Sequence, residues 1–447
     1  MPEKKHRVVI VGGGFAGISA ARALKKLPVE VTLIDRRNHH LFQPLLYQVA
    51  TGGLSPADIS APIRGLLAGQ KNARVLLAEV DGIDVQRKEL ATSGGPVPYD
   101  TLVLATGASH SYFGNEAWAE HAPGLKTLED ATAIRKKILL AFEAAEIAET
   151  EEERRAWLTF VVIGGGPTGV ELAGAIGELS RQTLRRDFRS FKPASARVLL
   201  LEGGDRVLPT YSQSLSPKAG KSLGKLGVEV WTGTLATDIS SDGVTVRRGE
   251  ISEQVAAKTV LWAAGVAASP LGRMLAESAG CETDREGRVV ISPDLTVPGH
   301  PEVFVIGDLA SYSHQTGAPL RGTADVAGAE GKYVGKLISA RVWGKGAGAA
   351  RPFRFRDLGK LAVIGRSAAV ADLRFIRFDG YLAWQFWLFA HLLKLVGFQN
   401  RLTVLVQWAW SYMTRKKSAR LITGEVDWEE LRLWKRHEAA GRENDAA

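Results

Sequence analysis

The sequence has very little cysteine, and neither its N-terminus nor its motifs point to export or to nucleic acid. Cys281 is the only cysteine, which excludes an intrachain disulfide and any Cys-x-x-Cys redox pair and leaves a simple packing role. "MPEKKHR" leads directly into the strand-like "VVIVG", without the separate apolar run of a signal peptide. No recognisable nucleic-acid motif occurs. We therefore expect a chain that stays in the cytosol and has no nucleic-acid partner.

Length and composition describe a globular protein with several cores. The 447 residues are too many for one ordinary core, so two or three domains are expected. Hydrophobic residues make up 45% and charged residues 23%, as in folded soluble domains. The net charge of +9 is compatible with an anionic surface as a partner but does not require one.

The first chemical signal is a glycine-rich turn near the N-terminus. "RVVIVGGGFAGISAARALKKLPVEVTLIDRR" predicts a strand, a turn, a helix and a second strand. Gly12, Gly14 and Gly17 form G-x-G-x-x-G, which allows a tight turn, close approach of a pyrophosphate, and close packing of helix and strand. Asp35 ends the second strand, 23 residues after Gly12, where a carboxylate accepts hydrogen bonds from ribose. The turn therefore predicts a dinucleotide site.

The same pattern returns later in the chain. "LTFVVIGGGPTGVELAGAIGEL" contains Gly164, Gly166 and Gly169, and the next strand, "ARVLLLEGG", ends in Glu202. A carboxylate at this position favours the 2′-hydroxyl of NAD over the 2′-phosphate of NADP, although Arg206 nearby leaves some room for NADP. Two dinucleotide sites in one chain indicate a relay between a tightly held flavin and an exchanging nicotinamide.

Three further segments predict how the two units are assembled. Pro98–Gly114 and Lys258–Pro270 are matched strand-to-glycine segments, and Pro301–Tyr312 is a strand that ends in Gly307-Asp308. In two-dinucleotide flavoproteins of the glutathione-reductase type, such a Gly-Asp binds the flavin ribityl chain. We predict an α/β fold with two Rossmann-type domains: a discontinuous FAD domain (1–116 and 295–373), an inserted NAD(H) domain (117–294) and a C-terminal membrane-associating segment (374–447).

Longer segments make the resemblance more specific. "HLFQPLLYQVATGGLSPADISAPIR", "GGGPTGVELAGAIGEL" and "LAVIGRSAAVADL" resemble the type II NADH dehydrogenases, which are single-chain, non-proton-pumping NADH:quinone oxidoreductases. The similarity covers about residues 6 to 425. It implies FAD as cofactor, NADH as hydride donor and a membrane quinone as acceptor. The lack of a cysteine beside the flavin independently excludes disulfide reductases and sulfide:quinone reductases.

The predicted site residues fall into three groups. For FAD they are Gly12, Gly14, Phe15, Ala16, Gly17, Asp35, Arg36, Gln43, Val80, Ala105, Thr106, Gly107, Asp308 and Ala324. For NAD they are Gly164, Gly166, Pro167, Thr168, Gly169, Glu202, Ala264 and Gly265. By resemblance, Glu171 lies close to the nicotinamide and flavin and is the catalytic candidate; a plain helix-start acid is the alternative. No metal site is predicted.

The quinone region departs from the pattern of the family. Relatives usually show A-Q-x-A-x-Q in the helix after Gly307-Asp308, whereas this chain has Asp325 and Ala329 at the glutamine positions. An ionised aspartate only accepts hydrogen bonds, whereas a glutamine amide can donate one to a quinone carbonyl. We expect an altered acceptor site unless a neighbouring donor or a protonated Asp325 replaces the amide. Lys360 is either near the quinone entrance or a solvated surface lysine.

The C-terminal segment is aromatic, apolar and basic. Tyr381–Phe398 falls short of the ~20 apolar residues that span a bilayer, and Arg401–Arg420 is amphipathic with a basic end. We expect two helices lying in the membrane interface, which predicts a peripheral protein on the cytoplasmic side of the cell membrane. A homodimer interface or a capping arm is the alternative use.

Three function classes follow from these features. The leading prediction is an NADH:quinone oxidoreductase with FAD. The second is a soluble NADH-dependent flavin reductase that passes electrons to a protein or small-molecule acceptor, and the third is a nucleotide-sensing binding protein on a redox scaffold. The C-terminal arm separates the first two classes, and reduction of the flavin by NADH separates both from the third.

Overall fold

A computed structural model describes residues 5–344 and 351–426 of the chain. Its strands, in chain order, are β1 (His6–Val11), β2 (Val29–Asp35), β3 (His39–Leu41), β4 (Ser60–Pro62), β5 (Ala73–Leu77), β6 (Val80–Asp84), β7 (Glu89–Thr92), β8 (Val97–Pro98), β9 (Thr101–Leu104), β10 (Ala108–His110), β11 (Thr159–Ile163), β12 (Arg197–Leu201), β13 (Val228–Trp231), β14 (Thr234–Ser240), β15 (Gly243–Arg248), β16 (Ile251–Ala256), β17 (Thr259–Trp262), β18 (Val266–Ala268), β19 (Val289–Val290), β20 (Thr296–Val297), β21 (His300–Val305), β22 (Ala310–Ser311), β23 (Gly359–Gly365), β24 (Ala368–Leu373) and β25 (Arg377–Gly380).

Helices pack on the main sheets and continue into the C-terminal arm. In chain order they are α1 (Phe15–Ala23), α2 (Leu46–Ala50), α3 (Ile63–Leu67), α4 (Leu128–Ile147), α5 (Glu151–Trp157), α6 (Pro167–Glu178), α7 (Ser216–Lys225), α8 (Leu271–Ala279), α9 (Ala324–Val342), α10 (Tyr381–Lys394) and α11 (Phe398–Thr414).

The first main sheet has six strands in the order β20-β21-β9-β1-β2-β5. All of its neighbours pair in parallel except β20 and β21. Strands buried on both faces need continuous apolar runs, and Val8, Val9 and Ile10 in the central strand β1 are almost fully buried. Helices α1 and α9 cross on this sheet so closely that a Cβ atom at Gly331 would lie 2.2 Å from the Ala16 carbonyl oxygen.

The second main sheet repeats this arrangement with four parallel strands in the order β13-β12-β11-β17. The antiparallel sheet β14-β15-β16 packs on it through Ile239, Val244 and Val246, which share a core with Val161 and Leu199 of the parallel sheet. In chain order, each main sheet begins with a strand, a glycine turn and a helix, namely β1 and α1 in the first sheet and β11 and α6 in the second. The α/β class with two Rossmann-type sheets is confirmed.

The packing differs from the predicted domain bounds at two segments, of which α8 is the first. Strand β21 joins the first sheet from beyond the second, so the first unit is discontinuous. Helix α8, however, lies inside the range predicted for the NAD(H) domain (117–294) and packs on the first unit. Leu271 and Leu275 belong to the core of the first sheet, and the Ser278 hydroxyl accepts the Val85 amide at 3.1 Å. Apolar residues that follow the last strand of the second sheet thus complete the first core.

The hairpin β23–β24 also lies elsewhere than predicted. Residues 359–373 were assigned to the FAD domain, but their hairpin packs on α6 of the second unit, where a Cβ atom at Gly174 would lie 1.9 Å from the Ile364 carbonyl oxygen. Ala362 and Val370 share a core with Leu172 and with Trp387 of α10. The C-terminal unit therefore begins at this hairpin rather than at residue 374.

The two helices of the arm expose many large apolar side chains, while several polar side chains of α11 are only partly exposed. The large exposed apolar residues of α10 and α11 are Tyr381, Leu382, Phe386, Phe389, Leu393, Phe398, Leu402, Leu405, Val406, Trp410, Tyr412 and Met413. Among the polar residues of α11, Thr403, Gln407, Ser411 and Thr414 are only half-exposed. Within residues 5–344 and 351–426, none of the helices combines the length and apolarity required to cross a membrane.

Part of the predicted basic end of the arm has a different role. After α11 the chain returns over the protein, where the Ala419 amide donates to the Gly52 carbonyl oxygen at 3.2 Å. Arg420 forms an ion pair with Asp187, and Lys417 points at the Ala175 carbonyl oxygen. Burial lowers the pKa of Lys417. These two cations hold the arm on the second unit, whereas Arg415 and Lys416 remain exposed.

Candidate functional site: two dinucleotide turns and an arm

The first glycine turn joins β1 to α1 with very little space. Gly12 has φ +104°, a conformation that favours glycine. A Cβ atom at Gly17 would lie 1.8 Å from the Gly12 carbonyl oxygen, so the helix contacts the turn through bare backbone. Around Gly14 the protein leaves open space, since no protein atom lies within 4 Å of a Cβ built there. The free N–H groups of the helix start are therefore accessible to an anion.

The second turn, between β11 and α6, has the same contacts. Gly164 has φ +111°, and a Cβ atom at Gly169 would lie 1.8 Å from the Gly164 carbonyl oxygen. Open space again surrounds the third position, Gly166, and Pro167 begins the helix. The two turns predicted from their glycine spacing are thus built alike.

The acids at the ends of the second strands support these turns directly. Asp35 accepts the Gly13 amide at 2.6 Å and the Arg37 amide at 2.7 Å. Glu202 accepts the Gly165 and Gly204 amides, both at 2.7 Å. Each carboxylate oxygen retains a second lone pair that can accept a ribose hydroxyl, so the predicted role and the loop-bracing role are compatible.

The remaining predicted FAD residues border the carboxyl end of the first sheet. Phe15 and Ala16 begin α1, and Ala105, Thr106 and Gly107 follow β9. Among the described residues, the Thr106 hydroxyl is one of the buried polar atoms without a partner. Asp308 lies in the turn Gly307–Leu309, beside Gly322 in the approach to α9, which begins at Ala324.

Three predicted FAD residues lie nearer the rim. Arg36 is exposed, with its guanidinium 4.0 Å from the Glu79 carboxylate. The Gln43 amide reaches the Lys126 carbonyl oxygen at 3.2 Å, and Val80 is a buried residue that begins β6. Their contact with a cofactor stays a prediction.

Two supporting residues were missed in the sequence. His40 is buried, donates from Nδ1 to the Gly13 carbonyl oxygen at 2.9 Å and packs edge-on against Phe15. The Glu330 carboxylate accepts the Gly307 amide at 2.6 Å, and burial raises the pKa of Glu330 to about 8. Glu330 could have been found from the sequence, because it is an acidic residue among the small residues of "ADVAGAEG".

Glu171 lies where three parts of the chain meet. It follows the first turn of α6, is close to the Val363 amide of β23, and is near the phenol groups of Tyr47 and Tyr211. Burial raises the pKa of Glu171 to about 8, so the carboxyl group is mainly neutral at pH 7. A helix-start acid that only faced the dipole would instead be kept ionised.

The remaining NAD candidates lie at the turn and at the end of β17. Thr168 is exposed in the first turn of α6. A Cβ atom at Gly164 would lie 2.7 Å from the Ala264 Cα, and the Gly265 carbonyl oxygen accepts the Ser111 amide at 3.2 Å. Ala263 and Ala264 therefore border the second turn as Ala105 and Thr106 border the first, and Gly265 follows them in the chain.

The predicted quinone residues separate into two places. Asp325 forms an ion pair with Lys394 of α10, and Ala329 packs at the edge of the first core. Lys360 instead donates to the Thr210 carbonyl oxygen at 2.5 Å and lies over the Tyr211 ring. Burial lowers the pKa of Lys360. Lys360 is thus held by the second unit, not left as a freely solvated side chain.

Aromatic rings connect the first turn to the arm. Phe15 packs against Phe42, and the ring of Phe42 lies 6.4 Å from that of His391 in α10. His391 stacks on Trp387 at 4.2 Å. Helix α10 of the arm therefore contacts the loop that carries Phe42 and the predicted FAD residue Gln43.

Two parallel sheets, each with its own dinucleotide turn, define a two-nucleotide flavoprotein, and comparison with known sequences agrees. Residues 6–331 match the pyridine nucleotide-disulphide oxidoreductase family. Residues 358–417 match the NDH2 C-terminal domain, which also places the start of the C-terminal unit at β23. The chain belongs to the type II NADH:quinone oxidoreductases, as its resemblance to that family predicted.

Relatives and solved structures give the extent of this similarity. The chain is 42% identical to the type II NADH:quinone oxidoreductase Ndh of Mycobacterium tuberculosis, over 100% of this chain and 96% of the relative. It is 46% identical to NdhA of the same organism, over 94% and 90%. The fold matches NDH2 from Plasmodium falciparum in complex with NADH, with a TM-score of 0.84 at 20% identity over 94% of this chain and 100% of that one.

Proposed function

We propose that this protein oxidises NADH with FAD and reduces a membrane quinone while lying on the membrane as a peripheral protein. The observation that carries the proposal is the combination of two equivalent dinucleotide turns with an arm whose apolar faces point outward. A soluble flavin reductase needs the turns but has no use for such an arm. A nucleotide sensor needs neither the second turn nor the partly buried Glu171.

The first turn fits FAD. The open space at Gly14 and Gly107 leaves room for a cofactor against the backbone, and the unpaired Thr106 hydroxyl is available to it within the described part of the chain. FAD supplies the two-electron chemistry between hydride donor and acceptor. The protein supplies the N-terminus of α1 for the pyrophosphate, Asp35 for the ribose and Asp308 for the ribityl chain.

The second turn fits NADH. The N-terminus of α6 offers free N–H groups to the pyrophosphate. In this proposal Glu202 accepts hydrogen bonds from the adenosine ribose, which favours NADH over NADPH. Glu171 borders the nicotinamide end as a neutral carboxyl group at pH 7. A neutral group there avoids repulsion of negative charge that develops when electrons arrive.

The overall reaction is NADH + H⁺ + quinone → NAD⁺ + quinol. The hydride of NADH carries two electrons and one proton, and the second proton comes from solution. As in the family, the reaction is not coupled to proton pumping. The protein thus provides binding, orientation and exclusion of water rather than a nucleophile.

Anaerobic titration tests the proposal. Adding NADH to the yellow holoprotein should bleach the flavin absorbance, and adding a quinone should restore it. Bleaching that a quinone does not reverse would favour the soluble reductase with another acceptor. No bleaching at all would leave only the nucleotide-sensing alternative.

The arm supports peripheral membrane attachment. Its two helices present aromatic and aliphatic side chains outward, with Arg415 and Lys416 exposed at one end. Helices of this kind lie in the headgroup region with their apolar face immersed. Attachment on the cytoplasmic face, and a homodimer formed through the same arm, stay predictions.

Charged substitutions on the outer face should release the protein from vesicles. Phe389 and Leu405 are exposed on α10 and α11, and burying such side chains contributes about 1.5–3 kcal/mol each. Phe389→Glu with Leu405→Glu should weaken vesicle partitioning by more than ~100-fold in cosedimentation. Point changes are preferable to deleting the arm, because Trp387 and Val404 belong to the core.

A matched control and a salt series make this test specific. Ile251→Glu removes an equally exposed apolar side chain from β16, far from the arm in sequence, and should leave partitioning unchanged. Raising the ionic strength should weaken binding only in part, because the apolar contact is not screened. Complete release by salt alone would contradict insertion of the apolar faces.

A further inference from the structure

An ion pair joins the helix near the predicted flavin site to the outward-facing arm. Asp325 is the second residue of α9, and Lys394 is the last residue of α10. Their Nζ–Oδ2 distance is 2.7 Å, and about half of each side chain is exposed. Asp325 replaces one of the glutamines expected from the family pattern, so the pair occupies the region where the acceptor was predicted.

The surroundings of this pair connect the apolar surface with the flavin side. Leu393, which precedes Lys394, and Phe389 belong to the exposed apolar face of α10. On the other side, α9 begins just after Gly322, where a Cβ atom would lie 2.7 Å from the Asp308 carboxylate. The pair thus lies between the exposed apolar face of α10 and the segment that leads from Asp308 into α9.

The polar side chains at this ion pair are Asp325, His391 and Lys394, and they differ in whether they can donate or accept a hydrogen bond. Asp325, when ionised, only accepts. His391 uses Nδ1 to donate to the Trp387 carbonyl oxygen at 2.8 Å, and burial lowers the pKa of its imidazole to about 4, which leaves Nε2 as an acceptor. The Lys394 ammonium has three donors, of which Asp325 takes one. A quinone carbonyl can only accept, so within this cluster Lys394 is its complement.

We propose that Lys394, oriented by Asp325, donates a hydrogen bond to a carbonyl oxygen of the quinone and thereby replaces the glutamine amide that this chain lacks. The inference rests on the proposed function, since it names a binding residue for the same acceptor. It assigns the acceptor site to both α9 and α10. It also explains why an aspartate is tolerated where relatives carry a neutral donor.

Kinetics with a short-chain, water-soluble quinone test the proposal without depending on the membrane. Lys394→Met should lower kcat/KM for the quinone by about 10- to 100-fold, the usual effect of losing a hydrogen bond from a charged donor. Lys394→Arg keeps charge and donors and should retain most of the wild-type value. The rate of anaerobic reduction by NADH is the internal reference for both variants.

A second ion pair provides the matched control. Lys218 of α7 and Asp379 of β25 also form a half-exposed lysine–aspartate bridge between elements distant in sequence, at 2.5 Å. Lys218→Met should leave kcat/KM for the quinone unchanged. An equal loss in Lys218→Met and Lys394→Met would mean that any bridge to the C-terminal unit matters, and would overturn the proposal.

Asp325→Asn separates hydrogen bonding to the quinone from mere attachment of the arm. It breaks the ion pair but leaves the donors of Lys394 in place, so it should lower kcat/KM for the quinone clearly less than Lys394→Met does. Equal losses in the two variants, or no loss in Lys394→Met, would refute a donor role. A wild-type protein that NADH reduces but no quinone reoxidises would refute the proposed function instead.

Discussion

Replacing Gly17 with alanine is expected to weaken the binding of FAD strongly. The added Cβ would lie 1.8 Å from the Gly12 carbonyl oxygen, far inside van der Waals contact. Either α1 must move away from β1 or the turn must open, and both displace the N–H groups that hold the pyrophosphate. Overpacking of this kind costs about 1–3 kcal/mol, so the dissociation constant of FAD should rise by up to ~100-fold. Flavin fluorescence on dilution measures it.

Two other glycine substitutions make the interpretation specific. Gly14→Ala places its Cβ in open space, so the apoprotein should unfold at the wild-type temperature while FAD binds more weakly, since the methyl group occupies the place of the ligand. Gly220→Ala, also without close neighbours but inside α7, should leave FAD binding unchanged and should leave the unfolding temperature equal or slightly higher, because alanine favours the helix. A Gly17→Ala protein that binds FAD as tightly as Gly220→Ala would show that the first turn does not hold the flavin.

Replacing Gly169 with alanine should impair the reaction with NADH and leave FAD bound. Its Cβ would lie 1.8 Å from the Gly164 carbonyl oxygen, the counterpart of the first contact. The purified variant should remain yellow and be reduced by dithionite, yet the rate of anaerobic bleaching at low NADH should fall by up to ~100-fold. Stopped-flow absorbance over a range of NADH concentrations measures the loss.

The reciprocal design decides which nucleotide each turn binds. A Gly169→Ala protein that loses FAD, or a Gly17→Ala protein that keeps FAD but loses its response to NADH, would reverse the assignment. Loss of both properties in both variants would indicate that the two units fold as one, and thermal unfolding of each variant would detect it. The proposed order is FAD on the first turn and NADH on the second.

Local sequence was sufficient for the two turns because their chemistry is confined to short segments. The positive φ of Gly12 and the backbone contact at Gly17 depend only on residues close in sequence. The spacing of the glycines and the apolar strands beside them therefore predict both features. The acid at the end of the second strand follows from the length of one strand–helix–strand unit. The apolar outer faces of the arm were predictable for the same reason, since helical periodicity is local.

Long-range packing was decided only in the tertiary structure. The sequence does not indicate that α8 completes the first core or that β23 lies on Gly174 of α6. The apolar composition of a segment does not identify the sheet against which it packs. The inward use of Lys417 and Arg420 likewise depends on carbonyl and carboxylate groups more than 200 residues away in the chain. Composition alone favoured a membrane contact for these cations.

The predicted acceptor site shows most clearly the difference between what the sequence predicts and what only the fold decides. From the sequence alone, Asp325 meant the loss of a hydrogen-bond donor to the acceptor. A single position in the sequence shows the chemistry of its own side chain but not that of its neighbours in space. The fold brings Lys394 to it across 69 residues of sequence, through the return of the chain from α9 by the hairpin β23–β24 into α10. Hydrogen-bond complementarity belongs to groups that are neighbours in space. Residue type and local periodicity therefore determined the nucleotide turns, whereas only the folded arrangement of α9 and α10 determined what faces the acceptor.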